Sequence, residues 1–133
     1  VKGRSFMKRR AAREKAFQFL FQIDINDEVD NHIVQDYLEE QNNDKFLKQL
    51  IEGVMDKKQE VDDTISRHLE NWSLDRLASV ERTALRLAAF EIEYLDDIPT
   101  NVSINEAVEL ANRYGDAKSG KFINGVLSKI VQK

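Results

Sequence analysis

Four cations fall within six positions near the start of the chain: Lys8, Arg9, Arg10 and Arg13, with Lys15 just behind. At helical spacing Arg9 and Arg13 project close to the line through Ala16 and Leu20, and Arg10 falls near Phe17. Arginines placed this way extend an apolar stripe toward the helix N-terminus, their stems on the rim of the core and their guanidinium groups held in few positions. Cations in a first helical turn oppose the helix dipole, at about 0.3–1 kcal/mol each when exposed. A bound anion reverses that penalty, and the free N–H groups of the first turn add donors. Arginine suits phosphate better than lysine because its planar fork donates two parallel hydrogen bonds. A solvated, frayed terminus is the competing reading, and these residues alone leave both open.

A second basic stretch, KSGKFINGVLSK, places Lys118, Lys121, Gly125 and Lys129 near one helical face with Phe122 at its border. A cationic face edged by an aromatic ring, with a glycine that permits close approach, suits single-stranded RNA, whose bases stack on rings. The alternative makes Phe122 a core residue and Gly125 a helix-packing contact. DNA is a poorer fit, since no helix-turn-helix pattern is visible.

Catalytic chemistry finds little support. The two histidines, His32 and His68, stand alone on separate helical segments without metal-ligand spacing. Cysteine is absent, which excludes a thiolate nucleophile and a disulfide framework and fits a reducing cytosol. The five glycines are dispersed, so no phosphate-cradling loop exists, and no serine sits in a nucleophile elbow. DINDEVDN resembles half a calcium loop through Asp24, Asn26 and Glu28. It puts Val29 where glycine is required and Gln35 where a bidentate glutamate belongs, so calcium is rejected. Neither a cofactor nor a metal is expected.

The elements that must position these groups follow from apolar periodicity. A first helix is expected from about Lys8 to Asp24, with Ala12, Ala16, Phe19, Leu20 and Ile23 at helical spacing. A second covers about Val29 to Glu40. After a QNND turn, Asp44 is placed to cap a third that carries Phe46, Leu47, Leu50, Ile51, Val54 and Met55. A fourth holds Val61, Ile65 and Leu69, and a short turn spans about Leu74 to Leu77. SVERTALRLAAFEIEYL is apolar around most of its circumference and is therefore expected at the centre. Beyond Pro99, Ser103 and Glu106 read as a capping box and Gly115 as a C′ stop. A last helix runs from about Lys118 to Val131. No β-period alternation competes, so the chain is expected to be all-α.

At 133 residues the chain makes one domain, large enough to fold without crosslinks. No apolar run approaches the roughly 18 residues of a membrane span. Residues 1–6, VKGRSF, read as a remnant appended for expression, leaving 7–133 as the functional domain. The net charge of −4 is unevenly spread, with seven Lys or Arg against one Glu in residues 1–15, four Lys against one Asp in 116–133, and an acidic middle. Two basic ends that met in space could bind nucleic acid despite the acidic total.

Three stretches, KRRAAREKAFQFLFQ, VERTALRLAAFEI and VSINEAVELANRYGDAKSGKFINGVL, resemble the NusB transcription antitermination family in order and spacing, from Met7 almost to the C-terminus. The resemblance implies seven helices in two three-helix-bundle-like halves, about 7–70 and 71–133, with the first and last helices brought together so that the two basic ends merge. It further implies a cytoplasmic, non-enzymatic factor that binds boxA RNA of ribosomal RNA transcripts together with ribosomal protein S10. That pair would nucleate a complex with other Nus factors on RNA polymerase. Matched by motif position, Arg9, Arg10 and Arg13 would contact RNA phosphate, with Lys118, Lys121 and Phe122 beside the RNA. Glu81, with Phe21, would meet S10. A homodimer is compatible with this resemblance. Two other readings remain: a purely protein-binding helical adaptor, and a NusB-like domain detached from an RNA cytosine methyltransferase.

Overall fold

A computed structural model describes residues 7–26 and 29–132. Among these the chain forms seven helices and no strand: α1 Arg9–Asn26, α2 Asn31–Glu40, α3 Lys45–Asp56, α4 Lys58–Ser66, α5 Ser79–Tyr94, α6 Thr100–Tyr114 and α7 Ala117–Gln132. A 3-10 turn, Leu74–Arg76, precedes α5. The all-α expectation holds. Residues 1–6 and part of the DINDEVDN segment, Asp27 and Glu28, lie outside the described residues.

Local chemistry sets most boundaries. Asp30 caps α2 by accepting from the Ile33 amide at 2.9 Å, and Asp44 caps α3 by accepting from Leu47 N at 3.1 Å. Asp44 also takes the Met7 amide, tying the approach to α1 onto the start of α3. Asn42 and Asn43 turn the chain between α2 and α3 at φ 59 and 52, a left-handed conformation that asparagine tolerates better than most residues.

As its composition requires, α5 is the centre: it packs on α1, α3, α4, α6 and α7 and buries Ala84, Leu85, Leu87, Ala88, Ala89 and Phe90. α1 runs antiparallel to it, so that Arg13 meets Glu91 near the end of α5 and Asp24 meets Ser79 and Arg82 at its start. Arg82 and Arg86 share the Asp24 carboxylate, Arg86 also binds Asp62 of α4, and Arg82 donates to the Leu74 and Leu77 carbonyls. This half-buried network fastens α1, α4, α5 and the 3-10 turn together.

Two expectations about α6 are corrected. It starts at Thr100, with Pro99 as its N-cap residue, because the Pro99 carbonyl already accepts from the Val102 and Ser103 amides. Ser103 therefore sits inside the first turns and donates its hydroxyl to Glu91 at 2.7 Å, while Glu106 turns to Arg10; no capping box forms. Gly115 ends the helix at φ −117, outside the left-handed region. Its lack of a side chain serves close packing instead, for a Cβ there would press on the Ala111 carbonyl and Ser119.

Candidate nucleic-acid interface

The three arginines at the start of α1 meet three different fates. Arg13 is 4% exposed, and its Nε and Nη2 donate to the two carboxylate oxygens of Glu91 at 2.8 and 2.9 Å. Projection onto the core side was right, and it carries a consequence for the site. Sealed by Glu91, which also accepts from Ser103, and lying 5.3 Å from the Phe46 ring centroid, the Arg13 guanidinium is not presented to solvent. A direct phosphate contact by Arg13 is thus withdrawn, and its work is to fix α1 on α5. Arg9 is half-exposed and lies 4.5 Å over the same Phe46 ring, with Nη2 donating to Asp97 at 3.3 Å. Arg10, also half-exposed, pairs with Glu106 and Glu109 of α6. Lys8 is exposed beside them.

One turn further along α1, the seam with α6 continues in polar contacts. Glu14 pairs with Arg113 at 2.9 Å and accepts from the Tyr114 hydroxyl at 2.6 Å, and Gln18 donates to the same hydroxyl. The Tyr114 hydrogen bond, aided by Arg113, holds the Glu14 carboxyl below its ordinary range despite some burial. That bond to Glu14 in turn raises the Tyr114 phenol.

Directly after Gly115 the second basic segment begins. Asp116 caps α7 by accepting from the Ser119 amide at 2.9 Å, and this bond lowers its pKa. Lys118 and Lys121 are exposed in the first turns, and Phe122 is half-buried against the core at their edge. Gly125 faces open space, so it is not a packing glycine; Gly120 is, since a Cβ there would collide with Asn112 of α6. Lys129, two turns beyond Lys121, is occupied by Glu70 at 2.8 Å.

The two basic clusters are linked through α6 and are not fused. α1 packs chiefly on α3, α5 and α6, and α7 on α6, α5 and α4, so α6 stands between them and corrects the expected pairing of first and last helices. Arg10 reaches as far as Glu109 on α6, and Gly120, the neighbour of Lys121, packs on Asn112 about one helical turn further along. Carboxylates interleave with the cations along this path. A phosphate arriving at Arg9 or Arg10 must therefore compete with Asp97, Glu106 and Glu109.

At the opposite end of α1, Phe21 is half-buried and stacks on Phe17 with centroids 5.9 Å apart. Glu81 stands in the first turn of α5, at the same end of the molecule because the two helices are antiparallel, and makes no ion pair among the described residues. Ile25, one turn beyond Phe21, is 55% exposed. Sequence reasoning passed over Ile25, although its i+4 spacing from Phe21 was a signal. It also passed over Glu91, whose signal was an acid in line with Ala84, Leu87 and Ala88 at helical spacing.

Comparison with known proteins fits this geometry. The NusB family model matches residues 10–132. The chain belongs to the NusB family. Its sequence is 58% identical over 125 residues to the transcription antitermination protein NusB of Oceanobacillus iheyensis, covering 94% of this chain and 99% of that protein. The NusB of Bacillus subtilis is 56% identical over 124 residues, covering 93% and 95%. Among solved structures, T. maritima NusB superposes with a TM-score of 0.86 at 36% identity, over 97% of this chain and 94% of that one. A NusB crystallised with NusE and double-stranded RNA gives 0.80 at 34% identity, over 94% and 97%. NusB proteins are transcription antitermination factors and not enzymes. No helix among the described residues is long and apolar enough to cross a membrane.

Proposed function

We propose that this NusB-family chain acts in the cytoplasm, binding boxA-type single-stranded RNA of ribosomal RNA transcripts jointly with ribosomal protein S10. The pair then nucleates a complex with other Nus factors on RNA polymerase. The observation that carries the RNA reading is the pair Arg9 and Arg10, half-exposed at a helix start and braced by Phe46 and the buried Arg13–Glu91 pair. Lys118, Lys121 and the edge of Phe122 supply a second contact across α6, where Gly120 packs on Asn112 about one turn beyond the Glu109 that Arg10 meets. That spacing suits a strand that lays phosphates on both clusters and a base on the ring. The structural neighbour crystallised with NusE (ribosomal protein S10) and double-stranded RNA supports S10 and RNA as classes of partner. On this chain S10 would meet Glu81, Phe21 and Ile25, at the other end of α1.

The decisive experiment is boxA RNA binding with and without S10 over a salt series. Weak binding alone, a steep salt dependence and tighter binding with S10 are expected. If the chain bound S10 but showed no RNA affinity above a scrambled sequence in either condition, the boxA reading would fail. The protein-binding adaptor would then stand.

A further inference from the structure

Between the two basic clusters, the surface carries a cation and a ring that belong to neither. Arg113 is the basic residue of α6 and stands in its last turn. It lies one turn beyond Glu109, which Arg10 meets, and beside Asn112, on which Gly120 of α7 packs. Arg113 is thus placed between Arg10 and Lys121. A cation at a helix C-terminus is favourable by itself, so this position alone assigns no role.

The way Arg113 is held separates it from the buried arginine. Arg13 commits Nε and Nη2 to both oxygens of Glu91 in the core. Arg113 is 48% exposed and meets Glu14 through Nη1 at 2.9 Å, and its Nε and Nη2 donate to no other group among the described residues. A guanidinium fixed at one corner, with open donors at the others, can take a phosphate oxygen without first leaving its carboxylate.

The neighbouring ring is held by the same carboxylate. Glu14 Oε2 accepts from the Tyr114 hydroxyl at 2.6 Å, and Gln18 donates to that hydroxyl at 2.7 Å. The ring packs on the fully buried Phe17, with centroids 5.0 Å apart and a tilt of 34°. Tyr114 is nevertheless 36% exposed, so part of it stays open to solvent. A base stacked there would meet a ring whose position is already fixed, and little freedom is lost on binding. Glu14 therefore sets one cation and one aromatic side by side, the pairing that single-stranded nucleic acid uses for phosphate and base.

We propose that Arg113 and Tyr114 form the middle of the RNA path: Arg113 donates to a phosphate, Tyr114 stacks on a base, and Glu14 positions both. The inference rests on the RNA reading above and adds two contacts to it. The test titrates the full chain into fluorescein-labelled boxA RNA over a salt series, with melting curves for each variant. Arg113→Ala should weaken binding several-fold at low salt and lower the salt slope by up to about 0.7. Tyr114→Leu should weaken it about five-fold or more at an unchanged slope, since a stacking contact releases no counterions. Tyr114→Phe keeps the ring and should stay close to the wild-type affinity. An unaltered slope in Arg113→Ala, wild-type affinity in Tyr114→Leu, or a Tyr114→Phe variant as weak as Tyr114→Leu would overturn the proposal. The double variant Arg9→Ala with Arg10→Ala separates the two levels. If it loses RNA affinity while the Arg113 and Tyr114 variants do not, the proposal falls and the RNA reading stands. If none of them loses affinity, the RNA reading falls as well.

Discussion

Arg13 and Glu91, 78 residues apart in the chain, face each other through two hydrogen bonds of 2.8 and 2.9 Å in the core between α1 and α5. Ser103 of α6 adds a third bond to the same carboxylate, so one buried acid holds three helices. Such a pair contributes little net stability relative to apolar residues of the same volume, but losing one partner strands a buried charge. Arg13→Ala and Glu91→Ala should each cost about 3–5 kcal/mol. The double replacement Arg13→Met with Glu91→Leu should recover much of that loss. Urea unfolding of the three variants decides it, and a double replacement as unstable as either single one would show that the pair itself stabilises.

How much of this was legible beforehand varies with the range of the interaction. Helix periods are local, so all seven helices and the central place of SVERTALRLAAFEIEYL could be read from apolar spacing. The α6 start was misread because Ser103 and Glu106 have the right types for a cap. The Pro99 carbonyl began the helix a turn earlier, and both side chains were claimed by Glu91 and Arg10. Arg13 was correctly placed on the core line, but its fate depended on Glu91, a partner set by tertiary packing. The acidic partners of Arg9 and Arg10 lie on or just before α6 and were invisible for the same reason.

Those partners make a prediction of opposite sign from the usual arginine scan. Removing Arg9 and Arg10 by alanine should weaken RNA binding and reduce the salt slope by about 0.7 for each lost single-strand phosphate contact. Asp97→Asn and Glu109→Gln should do the reverse and tighten binding, because the guanidinium groups no longer have to leave a carboxylate. Fluorescence anisotropy with labelled boxA RNA between low and moderate salt reads both effects. Tighter binding in the arginine variants, or weaker binding in the neutralised ones, would remove these side chains from the RNA path.

Acid should loosen the end of α1 through Asp24. Burial raises its pKa, but hydrogen bonds from Arg82 and Ser79 and the charges of Arg82 and Arg86 outweigh it, so the folded value lies below the ordinary carboxylate range. A depressed folded pKa means stability that is present above the unfolded value, near 4, and is lost as pH falls through the folded one. Asp24→Asn should therefore lower stability near neutrality by about 1.5–3 kcal/mol, the worth of hydrogen bonds to a charged group. It should also flatten the acid limb of the stability profile. Thermal melts of both proteins from pH 7 down to pH 3 test this, and parallel profiles would assign the acid limb elsewhere.

The proposed S10 surface can be probed without touching the residues proposed to bind RNA. Glu81 has no ion-pair partner among the described residues and Ile25 is 55% exposed, so neither Glu81→Lys nor Ile25→Asp should disturb folding. Each should weaken S10 association, by about 1–3 kcal/mol if it contributes an anchor. RNA affinity in the absence of S10 should stay at the wild-type level. Calorimetry with purified S10 gives the first quantity and anisotropy the second; S10 affinity unchanged in both variants would move the partner off this end of α1.

Two glycines of α7 separate packing from access. Gly125 faces open space, so Gly125→Ala should stabilise the helix by about 0.5–1 kcal/mol through reduced backbone entropy. Gly120→Ala drives a methyl group into Asn112 of α6 and should gain nothing or destabilise, since that side chain must swing away. If RNA runs past Lys121 and Phe122 closely enough to need the bare Gly125 backbone, Gly125→Ala will also lower RNA affinity while raising the melting temperature. That combination, a more stable protein with a weaker RNA complex, is the expected result. A more stable protein with unaltered RNA affinity would confine the RNA to the first turns of α7, at Lys118 and Lys121.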